Sequence, residues 1–181
     1  FSDGRGLAAA LTFGADGIAM GTRFLLTSES PTPFATKKAY LNSDVTKIPV
    51  STKLDGLPQR MIMNERLHQL ENAGRLSLLL TALQSAWRFK QEMNMSFFTM
   101  LRQAIVMARS SDSTIAQTLL AANAPMIIQR SMVHGSPKDG VLPSGQVAGL
   151  IDNLPACADL VAEIVDDTVS ALSSRSKIKD L

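Results

Sequence analysis

Residues 2–30 read SDGRGLAAALTFGADGIAMGTRFLLTSES, and this stretch decides the fold. Ser2 or Asp3 can cap a helix over about residues 4–13, because a short side-chain oxygen satisfies the open N–H groups of a first turn. Leu7-Ala-Ala-Ala-Leu11 is strongly helix-forming, and Gly14 stands where a left-handed residue would close the helix. Gly17-Ile-Ala-Met20 is a short apolar run of the kind expected in a buried parallel strand. Gly21-Thr22-Arg23-Phe24 then leaves that strand at its C-terminal end. The order loop, helix, strand, loop is part of a βαβ unit.

A phosphate needs several backbone N–H groups aimed at one place, and glycine lets the backbone come close. The head offers two such places, Ser2-Asp3-Gly4 entering the helix and Met20-Gly21-Thr22 leaving the strand. In a (β/α)8 barrel, phosphates bind at the neighbouring loops after strands seven and eight, and the spacing here suits that pair. An ordinary βα turn gives the same pattern, so the residues alone leave both readings open.

The rest of the chain changes character. Five of the 11 glycines fall in the first 21 residues, and none between Gly74 and Gly135. Proline is absent between Pro58 and Pro125. After the SESPTP loop, Phe34 to Leu41 suits a short helix, and Lys47 to Thr52 a brief strand or an extended link. Helices are expected to dominate after Pro58. Leu76, Leu79, Leu80, Leu83 and Trp87 make one apolar face, Phe97, Leu101 and Ile105 repeat every four residues, and Ile115, Leu119 and Leu120 begin a further stretch. Gly135 to Gly145 reads as a loop. Pro155 would open the last helix at its first position, with Leu160, Val161, Ile164, Val165, Thr168 and Leu172 on the buried face. Three segments follow: a Gly-rich head over 1–30, a mainly helical middle over 31–135, and a loop with a final helix over 136–181.

Composition sets the outer limits. The 181 residues are 45% hydrophobic and 19% charged, which excludes a disordered or collagen-like chain. Eighteen basic residues against 16 acidic ones give a net charge of +2, too small an excess for a nucleic-acid footprint. A single cysteine, Cys157, rules out a disulfide framework or a cysteine-cluster metal site within the chain, and its apolar neighbours favour a buried, inert thiol. No apolar run approaches a membrane span and no secretory signal is read, which points to the cytoplasm. No metal-spaced His/Asp/Glu set stands out. Eight of nine methionines lie between Met61 and Met132, either as flexible core filler or as an adaptable wall around a bulky apolar ligand. Lys37-Lys38 reads as a solvated face and His68 as a surface residue. His134, just before the 135–145 loop, is either a surface histidine or a substrate-side group.

The 2–30 run resembles the C-terminal signature of the nitronate monooxygenase family, formerly 2-nitropropane dioxygenases, at nearly every position from Asp3 to Phe24. Flavin-dependent enoyl-thioester reductases share that signature. The segment from Asp139 to Ile151, DGVLPSGQVAGLI, resembles the family's G-x-L-P-A-G-Q-x-A-G-L-I, with Ser144 in place of alanine. Leu57 to Leu70, with Arg60 and Asn64, is more loosely similar to its R-x-x-x-N helix region. The resemblance implies an α/β fold, the C-terminal portion of a TIM (β/α)8 barrel from the end of unit seven through unit eight. A mainly helical extension would make this chain predominantly α, with 1–30 as the last barrel units with phosphate-binding loops, 31–135 as a helical excursion or lid, and 136–181 as a loop and helix returning to the barrel.

It also implies flavin mononucleotide (FMN). Gly21 and Thr22 would hold the phosphate, Met20 would line the same pocket, and Ser2, Asp3 and Gly4 would form its other side. Gln146, Ser144 and His134 are the substrate-side candidates. The family's glycine pair, its first six strands and its catalytic histidine would lie upstream of Phe1. The implied reaction is oxidation of an alkyl nitronate by dioxygen. The alternative is NAD(P)H-linked chemistry on an acyl-thioester such as an enoyl-CoA, which a Met-rich lid suits. A small molecule is thus the expected partner, with a homodimer as a further option. If the chain acts alone, a barrel cannot close on two strands, and a non-catalytic helical module is the competing reading.

Overall fold

The computed structural model describes residues 1–74 and 115–176. The apolar faces expected at Leu76 to Trp87 and Phe97 to Ile105 lie outside the described residues. The chain divides into two compact units, one of residues Phe1–Ile48 with Ser144–Leu181 and one of Pro49–Pro143.

The first unit is helical. Helix α1 spans Gly4–Thr12 and is capped as its residues require: the Asp3 carboxylate accepts from the Gly6 N–H at 2.8 Å. Its far end closes on Gly14 at φ 88°. Gly14 N–H donates to Leu11 and Ala15 N–H to Ala10, the paired bonds of a left-handed helix stop. Helix α2 (Thr22–Leu25) is a single turn, and α3 (Phe34–Leu41) forms where the sequence places it. Residues 17–20 form no strand. A parallel strand exists only through ladder bonds to a neighbour, and no described residue supplies them.

The last helix, α6, spans Cys157–Ser176. It begins two residues beyond Pro155, whose carbonyl instead accepts from Ser28 N–H at 3.0 Å. Its first turn is capped from across the chain: both Glu29 carboxylate oxygens accept from Cys157 N–H, at 2.8 and 3.0 Å. Those bonds, with one from the Ser28 hydroxyl, hold the Glu29 carboxyl below its ordinary range. A depressed carboxylate adds stability above its unfolded pKa and loses it as pH falls through the folded value. Glu29→Gln is therefore expected to lower the melting temperature near pH 7, with the gap to wild type closing as pH falls through and below the ordinary glutamate range. Parallel thermal melts check this, and a pH-independent gap would contradict it.

Helix α6 packs on α1 through Leu160, Ile164 and Thr168, all buried. The expected face is narrower than the sequence suggests, because Val161, Val165 and Leu172 are 48%, 48% and 40% exposed. Cys157 is half-buried rather than fully enclosed, its Sγ 3.4 Å from the Thr27 hydroxyl. Lys37 is not solvated. It is buried, and its ammonium donates to the carbonyls of Thr27 at 2.7 Å and Ser28 at 3.3 Å, stapling α3 to the preceding loop. Lys38 faces solvent as expected.

The second unit holds a small antiparallel sheet in the order β1 (Val50–Ser51), β2 (Gln59–Ile62), β3 (Leu142–Pro143). Val50 pairs with Arg60, and Ile62 with Leu142. The helix expected over 57–70 is thus a strand followed by α4 (Glu65–Asn72), and the 135–145 loop contains β3. Helix α5 (Ile115–Met132) carries Pro125 inside it, where one backbone bond of the ladder is missing. The core gathers Leu54, Met61, Leu67, Leu70, Ala124, Ile127 and Val141, with Met63 packed against it. Met61 and Met63 are thus core filler.

Asn64 ties this unit together. Its Oδ1 caps α4 through Leu67 N–H at 2.8 Å, while its Nδ2 donates to the carbonyls of Pro137 at 2.6 Å and Gly140 at 2.7 Å. Asn64→Ala removes one cap and two loop bonds and is expected to cost about 2 kcal/mol. Chemical denaturation reads this directly, and a loss below about 0.5 kcal/mol would show that the loop holds without it.

Candidate functional site

Of the glycine-bearing motifs singled out in the sequence, Gly21-Thr22 and Gly145-Gln146 meet in the first unit, whereas Asp3 and Gly4 are taken up by helix α1 and its packing. Gly21 precedes α2, and no side chain caps that turn. A Cβ added at Gly21 would have no heavy atom of the described residues within 4 Å, so among them the turn faces open space. Thr22, the first residue of α2, accepts through Oγ1 a hydrogen bond of 2.9 Å from Gly145 N–H. Gly145 in turn leads a 3-10 helix, Gln146–Leu150, that packs against α2, α3 and the 3-10 turn Val45–Lys47. A Cβ on Gly145 would lie 3.3 Å from Thr22 Oγ1, and one on Gly149 only 2.3 Å from Val45 N. Gly149 is needed for this close approach because backbone fills the space, while a side chain at Gly145 would press on the Thr22 hydroxyl.

The bond fixes how Thr22 can act. Its oxygen already accepts from Gly145, so its own proton is left to donate outward. Beside it, the first N–H groups of α2 have no intrahelical acceptor. An exposed glycine, an oriented hydroxyl and open N–H donors together suit an anionic oxygen group.

Arg23, which the sequence reading passed over, anchors the turn from behind. It is 5% exposed and donates to Asn153 Oδ1 at 3.0 Å, Asn153 O at 3.1 Å and Leu26 O at 3.0 Å. Burial pulls its pKa below the ordinary arginine value, partly opposed by the carboxylates of Glu163 and Asp152. A charged residue next to a Gly-Thr turn was the available signal.

The other sequence candidates scatter. Met20 and Ser144 are half-buried, and Gln146 is exposed beside Gly145. Ser144 Oγ donates to the Gly145 carbonyl at 2.7 Å. Asp3 is engaged in capping α1, and Gly4 is buried where α1 crosses α6. His134 is exposed and belongs to the second unit, as does the exposed His68. Among the described residues there is no group of three or more His, Cys, Asp or Glu able to hold a metal, and no helix long and apolar enough to cross a membrane.

A family model described as nitronate monooxygenase matches residues 1–167. The chain belongs to the nitronate monooxygenase family. Within it, the chain is similar to the (3aS,4S,5R,7aS)-5-hydroxy-7a-methyl-1-oxo-octahydro-1H-indene-4-carboxyl-CoA dehydrogenase of Mycobacterium tuberculosis, with 43% identity over 98% of this chain and 50% of that protein. The dehydrogenase of the same name from Rhodococcus jostii is 42% identical over 99% of this chain and 51% of its own length. A probable nitronate monooxygenase of Staphylococcus saprophyticus is 41% identical over 68 residues, 38% of this chain and 19% of that protein. The chain thus spans about half the length of the first two relatives.

Among solved structures, FabK from Thermotoga maritima aligns with a TM-score of 0.62 at 21% identity, covering 98% of this chain and 45% of that one. A nitroalkane oxidase from Streptomyces ansochromogenes aligns at 0.60 and 20% identity, covering 96% and 39%. Such identities speak to fold alone.

Proposed function

We propose that this chain carries the phosphate-holding C-terminal part of an FMN-dependent oxidoreductase, built on the last units of a (β/α)8 barrel. The observation that carries the reading is the hydrogen bond from Gly145 N–H to Thr22 Oγ1. It brings the Gly-Thr turn and the Ser-Gly-Gln segment together and leaves the Thr22 proton to donate. Gly21 gives the backbone N–H groups of the turn access to the phosphate, and Thr22 adds a hydroxyl donor. Met20 borders the same place, and Ser2 to Gly4 are assigned to its other side. FMN, when bound, supplies the redox chemistry, while the protein supplies position and electrostatics. Gly145 acts through Thr22, and Gln146 and Ser144 face the substrate side.

Two substrate classes follow from the family. Oxidation of an alkyl nitronate by dioxygen is one, and oxidation or reduction of an acyl-CoA thioester is the other. The second is favoured by one specific observation: the relatives matched along 98% and 99% of this chain are named as carboxyl-CoA dehydrogenases, whereas the probable nitronate monooxygenase matches 38% of it. An enzyme of this kind would work in the cytoplasm, where CoA thioesters and NAD(P)H are at hand. Steady-state assays of the FMN-loaded protein separate the two. Turnover of a cyclic acyl-CoA thioester without nitrite release from a nitronate supports the thioester reading. Nitrite release with no thioester turnover overturns it.

A further inference from the structure

The second unit holds a basic cluster that the Gly-Thr turn does not explain. The N-terminal end of α4, the C-terminal end of α5 and the turn after it converge there. Asn64, just before α4, donates to the carbonyls of Pro137 and Gly140, and Ser136 N–H donates to the Arg130 carbonyl at 2.9 Å. Those bonds bring Arg66 of α4, Arg130 of α5 and the 136–140 turn, with Lys138 and Asp139, to one place.

Arg66 keeps a donor unused. Among the described residues, Arg66 donates through Nη1 to Gln69 Oε1 at 3.3 Å, and its Nε is buried with no hydrogen-bond acceptor. Both side chains are half-buried. Burial and the nearby positive charge of Arg130 pull the Arg66 pKa down, with Asp139 opposing. A buried guanidinium donor left over beside a second positive charge is unfavourable, and an anion there would relieve it. Planar guanidinium groups suit phosphate oxygens in particular.

We propose that Arg66 and Arg130 form an anion site for a phosphate of an adenine-nucleotide ligand. The inference rests on the oxidoreductase reading for its two ligand sources, the nucleotide end of a CoA thioester and NADPH, which share this chemistry. Lys138 adds long-range attraction. Asp139 weakens the site and sets its affinity below what the arginines alone would give.

The test is titration of the FMN-loaded protein with CoA, NADPH and inorganic pyrophosphate by calorimetry, for wild type, Arg66→Gln, Arg130→Gln and Asp139→Asn. Each arginine variant is expected to weaken pyrophosphate and one of the two nucleotides by about tenfold or more, with FMN content unchanged. Loss of CoA binding assigns the site to the thioester, and loss of NADPH binding assigns it to the electron donor. Asp139→Asn is expected to tighten the same ligand by about threefold, a gain that a folding defect cannot produce. Pyrophosphate binding that falls in the arginine variants supports the site even if wild type turns over no thioester, which would count only against the functional reading. Binding of all three probes within twofold of wild type in every variant would overturn the proposal.

Discussion

Gly4→Ala is expected to destabilise the protein by about 3 kcal/mol, although alanine is the better helix former by about 1 kcal/mol. The sign is what makes the result informative. Gly4 opens α1 where it crosses α6, and a Cβ there would stand 2.4 Å from Asp167 Cβ, 2.5 Å from Ile164 O and 2.7 Å from Thr168 N. Two of those atoms are backbone, so the helices must separate. Separation also breaks the hydrogen bond of 3.0 Å from the Thr168 hydroxyl to the Gly4 carbonyl and exposes Ala8, Leu160 and Ile164. Gly17→Ala is the control, since a Cβ at Gly17 meets nothing within 4 Å. Thermal unfolding should place Gly4→Ala roughly 6–12 °C below wild type and Gly17→Ala close to it. Equal melting temperatures for the two variants would show that the crossing is looser than described.

Thr22→Val is expected to weaken FMN binding by roughly 10- to 100-fold while leaving the fold intact. Valine keeps the shape of threonine, so α2 and its packing are preserved. What is lost is a hydroxyl that accepts from Gly145 N–H and donates outward. Gly145 is exposed, so its N–H can turn to water and the structural cost is small. Thr22→Ser keeps both roles and should stay within about threefold of wild type. Fluorescence titration of FMN into the apoprotein measures all three. A serine variant as weak as the valine one would show that the methyl group, not the hydroxyl, matters.

The parts of this architecture that the sequence makes legible are local. Asp3, the Leu7–Leu11 run and Gly14 specify the start, body and stop of α1 within a dozen residues, and the structure agrees at each point. The Gly-Thr and Ser-Gly-Gln motifs were each recognisable, but their meeting through Thr22 and Gly145 joins positions 123 residues apart. Contacts between separate elements, near and far in sequence, carry what a local reading misses. Lys37 looked solvated because its carbonyl partners belong to a loop ten residues earlier. Glu29 lies in the loop that the sequence predicts, but its capping role is hidden because the helix it caps begins 128 residues later, at Cys157. The strand expected at 17–20 failed for a related reason, since an apolar run becomes a strand only beside another. The small antiparallel sheet was hidden by its shortness, two strands having only two residues each.

The account turns on Thr22 and the Gly-Thr turn holding a phosphate. The most direct measurement compares FMN with riboflavin, which lacks that phosphate, for wild type and Thr22→Val. Wild type is predicted to prefer FMN strongly, and the valine variant to lose most of that preference by weakening FMN while riboflavin binding stays unchanged. An FMN-to-riboflavin ratio that is the same in both proteins would contradict the account.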